Sequence, residues 1–446
     1  MNPSDRAKLR RFSVIFFWVL FIAITVMFFT NDFGIVDIHK TSIIVAIGID
    51  TTENEVQVTA QLAVPKPSQS GDNVEYTEVQ GSGETVADAL NEINAKTGFY
   101  PQLQFCKLVL LGDSCKEKSI FQLMGCLYRK NYSELTALVA MCDGKASDML
   151  SMPTVTSDMT TTVIQRALAD ELEKSANVSS VNLKDIALAN YSISKACYMP
   201  FIEANVQGTS EEGGNGDSVG GDKPQSGGES GGSSGGGSSS GESGGEGGSE
   251  SGSGSSSGGS EGSSGGSGSS GGSGGEQKPV EFTARKTAIF NNGKFAGILN
   301  EQQAFALDIL KNEIEHAVLP CDTSKYHYTL GLGQNKSGIE VKIANGIPEV
   351  TLKFSAYGQV VGIKKIVEPK ETIKDDKLSP DIIEAANKAV EERLASLIDV
   401  CRQTDCDFLG IKEKIFKFHY RHFENLKDDA LQNMRVKYKV DIKSRN

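Results

Sequence analysis

The sequence predicts an extracytoplasmic protein of mixed α/β and α+β architecture, carried on a single N-terminal transmembrane helix. Three features of the chain lead to this prediction. An apolar segment without charge occupies residues 12–30. Strand and helix patterns follow the order β-β-α-β-α-β over residues 42–142. A helix, three strands, two helices and a last strand then follow over residues 301–442.

The composition of the chain changes abruptly over residues 208–277. This region holds 30 of the 48 glycines, and its ten acidic side chains against the single Lys223 give it −9 of the overall net charge of −12. The remaining residues are nearly neutral and numerous enough for two or three domains with cores. A fully disordered chain is therefore excluded. A general nucleic-acid binder is excluded too, because affinity for phosphate backbones requires clustered Lys and Arg.

Residues 12–30 are predicted to form a transmembrane anchor. The uncharged run Phe12–Phe29 has 18 residues, close to the roughly 20 residues of helix that cross a bilayer. Basic residues precede the run and Asp32 follows it, so we expect residues 1–11 as a cytosolic stub and the rest of the chain outside. The exit lacks the small residues of a signal-peptidase site, which predicts an uncleaved anchor. The basic residues are Arg6, Lys8, Arg10 and Arg11.

The eight cysteines bear on lipid attachment and on disulfide formation. The first of them is Cys106, so no thiol lies near the anchor to accept a lipid, and a lipoprotein is excluded. In an oxidising compartment the cysteines would pair, whereas in a reducing habitat they would remain buried thiols. The sequence leaves both alternatives open.

Residues 41–150 are predicted to form an N-terminal α/β domain. Its second strand alternates polar and apolar residues, as a half-buried strand does. Thr85 is the expected N-cap of the first helix, because apolar residues recur at helical spacing directly after it. The predicted strands are 42–50, 55–64, 104–111 and 134–141, and the second predicted helix is 119–129.

Residues 151–300 are predicted to form a middle domain that a disordered Gly/Ser-rich insertion (208–277) interrupts. The insertion has no apolar cluster that could offset the entropy of ordering. We interpret it as a surface loop between two neighbouring strands, because extended segments flank it and loop-closure cost rises only logarithmically with length. A tether between two domains is the alternative. The predicted helices are 158–174 and 183–190, and the predicted extended segments are 201–206, 281–290 and 295–299.

Residues 301–446 are predicted to form a C-terminal α+β domain. Its longest helix begins at Pro380, with Ser379 as the expected N-cap, because proline favours the first helical position. The predicted helices are 301–315, 380–401 and 408–418. The predicted strands are 326–332, 338–343, 349–357 and 436–442, separated by polar turns or helices.

The chain contains one pattern with the appearance of a zinc site. Two cysteines and two histidines follow the spacing C-x4-C-x12-H-x2-H, close to that of a zinc finger. A finger needs a ββα unit and three to five residues between its histidines, whereas this pattern lies across two predicted helices. We therefore predict no metal site from these residues, which are Cys401, Cys406, His419 and His422.

No sequence pattern indicates catalysis or cofactor binding. The chain has no P-loop, no G-x-S-x-G nucleophile elbow and no G-x-G-x-x-G fingerprint. His39, His316 and His327 are isolated in the sequence and are expected to be structural. We therefore predict no catalytic, cofactor-binding or metal-binding residues.

Four parts of the chain carry structural rather than catalytic motifs. They are IIVAIGID with VQVTAQLAVP, GSGETVADALNEI leading to FCKLVLLG, TAIFNNGKFAGILNEQQ, and AANKAVEERLASLIDVCRQTDCDFLGIKEKIFKFH. In this order they resemble the Ger(x)C family of spore germination proteins, which are the C subunits of nutrient germinant receptors. The resemblance runs from about residue 41 to residue 442 and leaves out the Gly/Ser-rich insertion.

The resemblance implies a three-domain extracytoplasmic protein without enzymatic activity on the outer face of the spore inner membrane. It also implies two partners, the receptor A subunit and the polytopic B subunit. The chain departs from the family in having no lipobox cysteine, and the apolar segment 12–30 takes the place of the lipid. The Gly/Ser-rich insertion falls where the family has a short connection between strands, which favours the loop interpretation.

The leading hypothesis is therefore a membrane-anchored, non-catalytic receptor subunit required for the response of a dormant spore to small-molecule nutrients. Two alternatives remain open. The chain could be an extracytoplasmic hydrolase acting on cell-wall or spore-cortex material, with carboxylates such as Asp381 and Glu384 as acid and base. It could also be a scaffold that positions partners and binds no ligand.

Overall fold

The structure is a computed structural model of the 446-residue chain. The Gly/Ser-rich insertion and His39 lie outside the residues that it describes, as does the end of the predicted helix 158–174. The described residues are 3–29, 41–65, 74–98, 100–129, 133–155, 159–168, 175–176, 178–206, 279–312, 314–365 and 378–444.

The first helix, α1 (Pro3–Phe29), contains the apolar segment predicted as an anchor. Its side chains are described for residues 12 and 14–26, and nearly all of them are exposed. The Thr25 hydroxyl donates to the Phe21 carbonyl at 2.8 Å, so this polar group is satisfied within the helix. Over the described residues, no helix combines the length and the apolar character that a bilayer crossing requires. The anchoring role of residues 12–30 stays a prediction.

Nine strands form a first sheet whose centre is parallel. They are β1 (Thr41–Thr51), β2 (Val56–Pro65), β3 (Val74–Gly83), β4 (Tyr100–Gln102), β5 (Leu108–Leu111), β6 (Leu138–Cys142), β7 (Ala196–Val206), β8 (Val280–Asn291) and β9 (Lys294–Leu299). Their order is β3-β2-β1-β5-β6-β7-β8-β9, with β4 paired to β1. Strands β1, β5, β6 and β7 are parallel to their neighbours in this series, and antiparallel strands complete both edges.

Helices cover both faces of this sheet, which explains why β5 is fully buried. One face packs against α2, α3, α4 and α7, and the opposite face packs against α5 and α6. These helices are α2 (Val86–Thr97), α3 (Ile120–Leu123), α4 (Gly125–Arg129), α5 (Ala146–Ser151), α6 (Thr160–Ala167) and α7 (Leu183–Tyr191). A short 3₁₀-helix occupies Asp113–Glu117.

The expected N-cap of α2 is confirmed, since the Thr85 side chain accepts a hydrogen bond from the Asp88 amide at 3.2 Å. Helix α2 then lies directly against strand β3. A Cβ atom at Gly81 would come within 2.2 Å of the Ala89 carbonyl oxygen, so only glycine permits this approach. Strand β3 itself was not predicted from the sequence.

The pairing of β7 with β8 bears on the Gly/Ser-rich insertion. These two strands flank it in the sequence and pair antiparallel, with Val206 opposite Val280. The insertion therefore connects two neighbouring strands of one sheet, as the loop interpretation requires. Strands β6 and β7, from either side of the predicted domain boundary at residues 150 and 151, are also neighbours. The division of residues 41–300 into two domains stays a prediction.

A second sheet of four strands lies within the region 301–446. Its order is β10-β11-β12-β13, and β13 runs parallel to β12 while the other pairs are antiparallel. Helices α8 and α9 share one apolar core with this sheet. The strands are β10 (Ala317–Asp322), β11 (Tyr326–Ala344), β12 (Ile347–Lys365) and β13 (Arg435–Ser444). The helices are α8 (Glu301–Lys311), α9 (Pro380–Gln403), α10 (Ile411–Phe418), α11 (Tyr420–Leu426) and α12 (Ala430–Asn433).

The prediction of separate strands at 326–332 and 338–343 is wrong, because both belong to the single strand β11. The intervening polar residues form an irregularity in the ladder, where Gln334 has a positive φ of 52°. The Asn335 side chain donates to the carbonyls of Ile309 and Asn312 at 3.1 and 3.0 Å and accepts from the Ile314 amide at 2.9 Å. These polar residues therefore fasten the strand to the end of α8 instead of turning the chain.

Other differences concern element ends. The predicted helix 119–129 is divided at Met124, and the predicted helix 301–315 ends at Lys311. Strand β7 begins at Ala196 and contains Pro200, because proline disfavours helix but not extended backbone in the preceding residue. Ser379 precedes α9 as expected, although its side chain makes no capping hydrogen bond. The elements that the sequence did not predict are β3, β4, β10, α5, α11 and α12.

Candidate functional site

Three side chains of the zinc-like pattern have separate structural partners, and the fourth, His422, is exposed. The Cys401 thiol donates to the Cys406 carbonyl at 3.1 Å, and the Cys406 thiol donates to the Phe290 carbonyl at 3.2 Å. The His419 ring nitrogen Nε2 lies 3.0 Å from the Val341 carbonyl oxygen. Across the described part of the chain, no three His, Cys, Asp or Glu side chains are grouped so that they could hold a metal ion.

All eight cysteines are free thiols, and seven of them are buried. Burial raises the pKa of the Cys406 thiol from its ordinary 9.0 to about 12, and desolvation likewise raises the pKa of Cys401. Both groups therefore remain protonated at neutral pH and act as small buried residues. The sequence left disulfides and buried thiols open as alternatives, and in the structure the cysteines are thiols.

The two carboxylates of the hydrolase alternative lie near the start of α9. Asp381 and Glu384 are both exposed, and Glu384 borders an open surface depression of about 550 Å³ together with Asn387 and Lys388. Catalytic acid and base groups act in sites that exclude water. Asp381 and Glu384 are instead exposed to water.

The isolated histidines also have surface positions. His327 Nδ1 lies 2.5 Å from Asp322 Oδ1 on the neighbouring strand. His316 borders a cavity of about 270 Å³ that Gly331 and Gly333 also line. The Asp322 and His316 side chains are 69% and 81% exposed, so both histidines lie in contact with solvent.

A buried carboxylate, Asp407, joins the first sheet region to the second. It accepts hydrogen bonds from the backbone amides of Ile411 and Lys412, both at 2.7 Å, at the start of α10. The Ser194 hydroxyl, in the connection between α7 and β7, donates to the same carboxylate at 2.6 Å. Three donors thus satisfy the two oxygens of Asp407, and we call this set of contacts the Asp407 junction.

The neighbouring Glu413 strengthens the Asp407 junction. Its carboxylate accepts from the amide of Ile193 at 2.5 Å. Burial raises the pKa of Asp407 above its ordinary 3.8, and the hydrogen bonds from Ser194 and the two amides oppose that effect. Asp407 therefore has a structural role: it links the two segments through these hydrogen bonds, although burial of its charge costs free energy.

A second buried carboxylate, Asp50, lies at the carboxyl end of β1. It accepts from the amides of Ala146 and Ser147 at 2.8 and 3.0 Å and so caps the start of α5. Gly112 makes room for it, since a Cβ atom there would lie 1.9 Å from Asp50 Oδ1. Asp50 is the last residue of a predicted strand, but no sequence pattern indicated its partner 96 residues later.

A cleft of about 400 Å³ opens near the carboxyl ends of β5 and β6, and we call it the carboxyl-edge cleft. This edge of a parallel sheet is where ligands bind in open α/β folds. Lys116 follows β5, Asp143 follows β6, and the antiparallel strands β8 and β9 close the far side. The lining residues are Lys116, Asp143, Phe201, Glu203, Lys286, Ile298 and Asn300.

The charged groups of the carboxyl-edge cleft have defined positions. Lys286 Nζ lies 2.7 Å from Glu203 Oε1, across the paired strands β8 and β7. Lys116 pairs with Asp113, and its Nζ lies 5.3 Å from the centroid of the Phe201 ring and 5.0 Å from that of Phe295. Attraction to the two ring faces helps to hold this ammonium group at the cleft.

Sequence reasoning missed this cleft. Its residues come from positions between 116 and 300, on both sides of the Gly/Ser-rich insertion, and share no motif or spacing. The sequence predicted the order of the strands along the chain, but not which strands are neighbours in the sheet. Tertiary pairing of β7 with β8 brings Glu203 and Lys286 together.

The fold and the cleft define a class of protein, an α/β protein with two sheets, a mixed-charge surface cleft and buried carboxylates in structural roles. A family model for the spore germination protein N-terminal domain matches residues 34–204. A second model, spore germination B3/GerAC like, C-terminal, matches residues 285–446. The chain belongs to the Ger(x)C family of spore germination proteins, which confirms the predicted resemblance.

Two individual proteins are similar to the chain. Spore germination protein KC of Bacillus subtilis (strain 168) is 22% identical over 148 residues, which are 33% of this chain and 35% of the relative. The alignment thus spans about a third of the relative's length. The crystal structure of the GerBC protein is 12% identical, with a TM-score of 0.47, and the match covers 90% of this chain and 97% of that chain.

The raised pKa of Asp407 predicts a pH dependence of stability. Between pH 3.8 and the higher folded pKa, the folded chain holds a proton that the unfolded chain has released. Folding stability therefore falls as the pH rises through this window, by at most about 1.4 kcal/mol per pH unit. Asp407→Asn lacks this titration, so the unfolding free energy of the wild type relative to the variant should fall with rising pH.

Urea unfolding of the detergent-solubilised chain between pH 3.5 and 7 measures this difference. The exposed Asp399→Asn serves as the control for a change of one charge. If the wild type instead becomes more stable relative to Asp407→Asn as the pH rises, the prediction is contradicted. The three hydrogen bonds would then lower the pKa of Asp407 by more than burial raises it.

Proposed function

We propose that the chain is a membrane-anchored, non-catalytic C subunit of a spore nutrient germinant receptor, which acts through contacts with the A subunit and the polytopic B subunit. One observation carries the proposal. The two family models match residues 34–204 and 285–446, so the N-terminal model covers strands β1 to β6 and most of β7, and the C-terminal model covers most of β8, β9 and the second sheet. The Gly/Ser-rich insertion lies between the two matches.

The positions of the carboxylates support a role without catalysis. Asp50 and Asp407 are both buried, and backbone amides at helix starts donate to them. Asp381 and Glu384 lie in the open on α9. These positions favour the receptor subunit over the hydrolase. The descriptions of the two matching families name germination and no reaction.

The N-terminal sequence supports attachment to a membrane. Residues 12–29 carry no charge, and a basic stub precedes them. Exposed apolar side chains along α1, such as Phe17 and Phe21, need an apolar environment or a partner to cover them. We infer that α1 spans the spore inner membrane and that both sheets lie on its outer face.

The proposal predicts that the chain is part of a membrane complex. A tagged chain is isolated in mild detergent from the inner membranes of dormant spores, and mass spectrometry identifies the proteins that accompany it. We expect a second membrane subunit and a polytopic partner. The same tag on an unrelated single-pass protein of that membrane controls for non-specific recovery. Recovery of the chain alone would contradict the proposal and favour an independent enzyme or scaffold.

The proposal also predicts that α1 anchors the chain. The double substitution Leu20→Asp with Ile22→Asp should release the chain from the membrane, because each carboxylate at the centre of a span costs about 3 kcal/mol. The measurement is retention in vegetative-cell membranes, without receptor partners, after an alkaline carbonate wash. Phe418→Asp, at an exposed site of α10, is the control and should stay in the membrane with the wild type. Equal retention of all three would refute the anchor.

A further inference from the structure

Three aromatic side chains are exposed where α10 meets α11. Phe418 and Tyr420 are 65% and 64% exposed, and Phe416 is 37% exposed. A single exposed apolar residue is normal on a protein surface, whereas a group of them marks an interaction surface. The three rings lie within residues 416–420 of the chain. The junction of α10 and α11 is therefore a candidate docking surface.

Basic side chains are interspersed with these rings. Lys417 and Arg421 are exposed, and residues 414–423 contain no acidic residue. The Lys417 ammonium nitrogen lies 5.3 Å from the centroid of the Phe418 ring. The segment is thus locally positive in a chain whose overall net charge is −12. We call the following side chains the aromatic-basic patch: Phe416, Lys417, Phe418, Tyr420 and Arg421.

The acidic residues on either side of this segment have other partners. Glu413 is four residues before Lys417, a spacing that favours an ion pair on a helix. Its carboxylate instead accepts from the Ile193 amide at 2.5 Å. Glu424 Oε2, beyond the other end of the segment, lies 2.7 Å from Lys427 Nζ. Because both carboxylates are engaged in this way, the aromatic-basic patch keeps its positive charge for an external partner.

The aromatic-basic patch rests on a rigid base. The Phe416 ring packs edge-to-face against the Tyr420 ring and the buried Phe423 ring, with centroid distances of 5.3 and 5.1 Å. Between the two helices, His419 Nε2 lies 3.0 Å from the Val341 carbonyl oxygen and so holds the junction to β11. A preorganised surface loses less conformational entropy when it binds.

We propose that the aromatic-basic patch docks on the surface of an anionic phospholipid membrane. Aromatic rings favour the interface between headgroups and acyl chains, and lysine and arginine are attracted to anionic headgroups. A protein partner would also cover the rings, but lysine is depleted from protein interfaces. Lys417 stands between Phe416 and Phe418 in the sequence, so the composition of the patch favours a membrane.

The docking proposal rests on the proposed function in one respect, which is the position of α1 in the membrane. Residues 30–40 connect α1 to β1, and a chain of that length reaches at most about 40 Å. An anchored chain therefore meets lipid at a high effective concentration, so a weak contact is enough to orient it. The contact is peripheral, and a chain with an altered patch stays in the membrane through α1.

The test follows the surroundings of position 420 in the full chain. Trp18 is the single tryptophan of the sequence, so Trp18→Phe with Tyr420→Trp places the fluorophore in the patch. The chain is reconstituted in vesicles of phosphatidylcholine and phosphatidylglycerol, and the phosphatidylcholine is either plain or brominated on the upper part of its acyl chain. We expect the brominated lipid to quench the fluorescence at position 420.

A second tryptophan position is the matched control. Tyr76 is 43% exposed on the edge strand β3, and Trp18→Phe with Tyr76→Trp should keep its fluorescence in brominated vesicles. Circular dichroism verifies that both variants are folded. Quenching at position 420 that is no greater than at position 76 would overturn the proposal.

Removal of charge tests the electrostatic part. In the Tyr420→Trp background, Lys417→Gln with Arg421→Gln should lower the ratio of docked to free chains by about thirtyfold, because each basic side chain near an anionic surface contributes about fivefold. Lys96→Gln with Lys388→Gln removes two charges from ion pairs on α2 and α9 and should leave the quenching unchanged. Vesicles of phosphatidylcholine alone should also reduce it. Quenching that depends on neither the patch charges nor the anionic lipid would overturn the proposal.

The outcomes separate docking from the proposed function. If position 420 is not quenched but the chain still isolates with its membrane partners, the docking proposal fails, a protein surface is favoured as the cover of the rings, and the receptor role stands. If position 420 is quenched and no partner accompanies the chain, the docking proposal stands and the receptor role fails.

Discussion

The antiparallel pairing of β7 with β8 is the contact on which the rest of the structure depends. It joins segments that the Gly/Ser-rich insertion separates in the sequence, with Val206 opposite Val280. Because of it, Glu203 meets Lys286 in the carboxyl-edge cleft. It also presents the end of β8 to the C-terminal region, where the Phe290 carbonyl accepts from the Cys406 thiol and the Asn291 side chain donates to the Asp405 carbonyl at 3.0 Å. One strand pair thus positions both the cleft and the Asp407 junction.

The segments that carry the family resemblance are the ones that make these tertiary contacts. The motif IIVAIGID ends at Asp50, whose carboxylate caps α5, and FCKLVLLG ends at Gly112, which leaves room for that carboxylate. The last motif contains Asp407 and Glu413, which fasten the start of α10 to the connection before β7. Asp50 and Asp407 are therefore positioned by helix amides, and their chemistry is that of structural caps. This explains why the motifs resemble a family while indicating no reaction.

Sequence patterns predicted the elements whose signals are local. The Thr85 cap of α2 and the start of α9 at Pro380 needed only neighbouring residues. The irregularity of β11 could not be found in this way, because Asn335 bonds to the end of α8 more than twenty residues earlier. Strand β3 was missed because it is an edge strand whose side chains are mostly exposed, so it has no sustained apolar alternation. The carboxyl-edge cleft required knowledge of which strands are neighbours, which periodicity does not provide.

The Gly/Ser-rich insertion connects two neighbouring strands of one sheet, and a single replacement of this segment tests that connection. Substituting Asn-Gly for residues 207–279 leaves Val206 and Val280 to flank a two-residue hairpin turn. Urea unfolding then compares the shortened chain with the wild type. We predict a folded chain that is more stable by up to about 3 kcal/mol, because each halving of a flexible loop lowers its closure cost by about 0.6 kcal/mol. A chain that fails to fold, or unfolds at a lower urea concentration, would contradict the pairing of β7 with β8 as the basis of the structure.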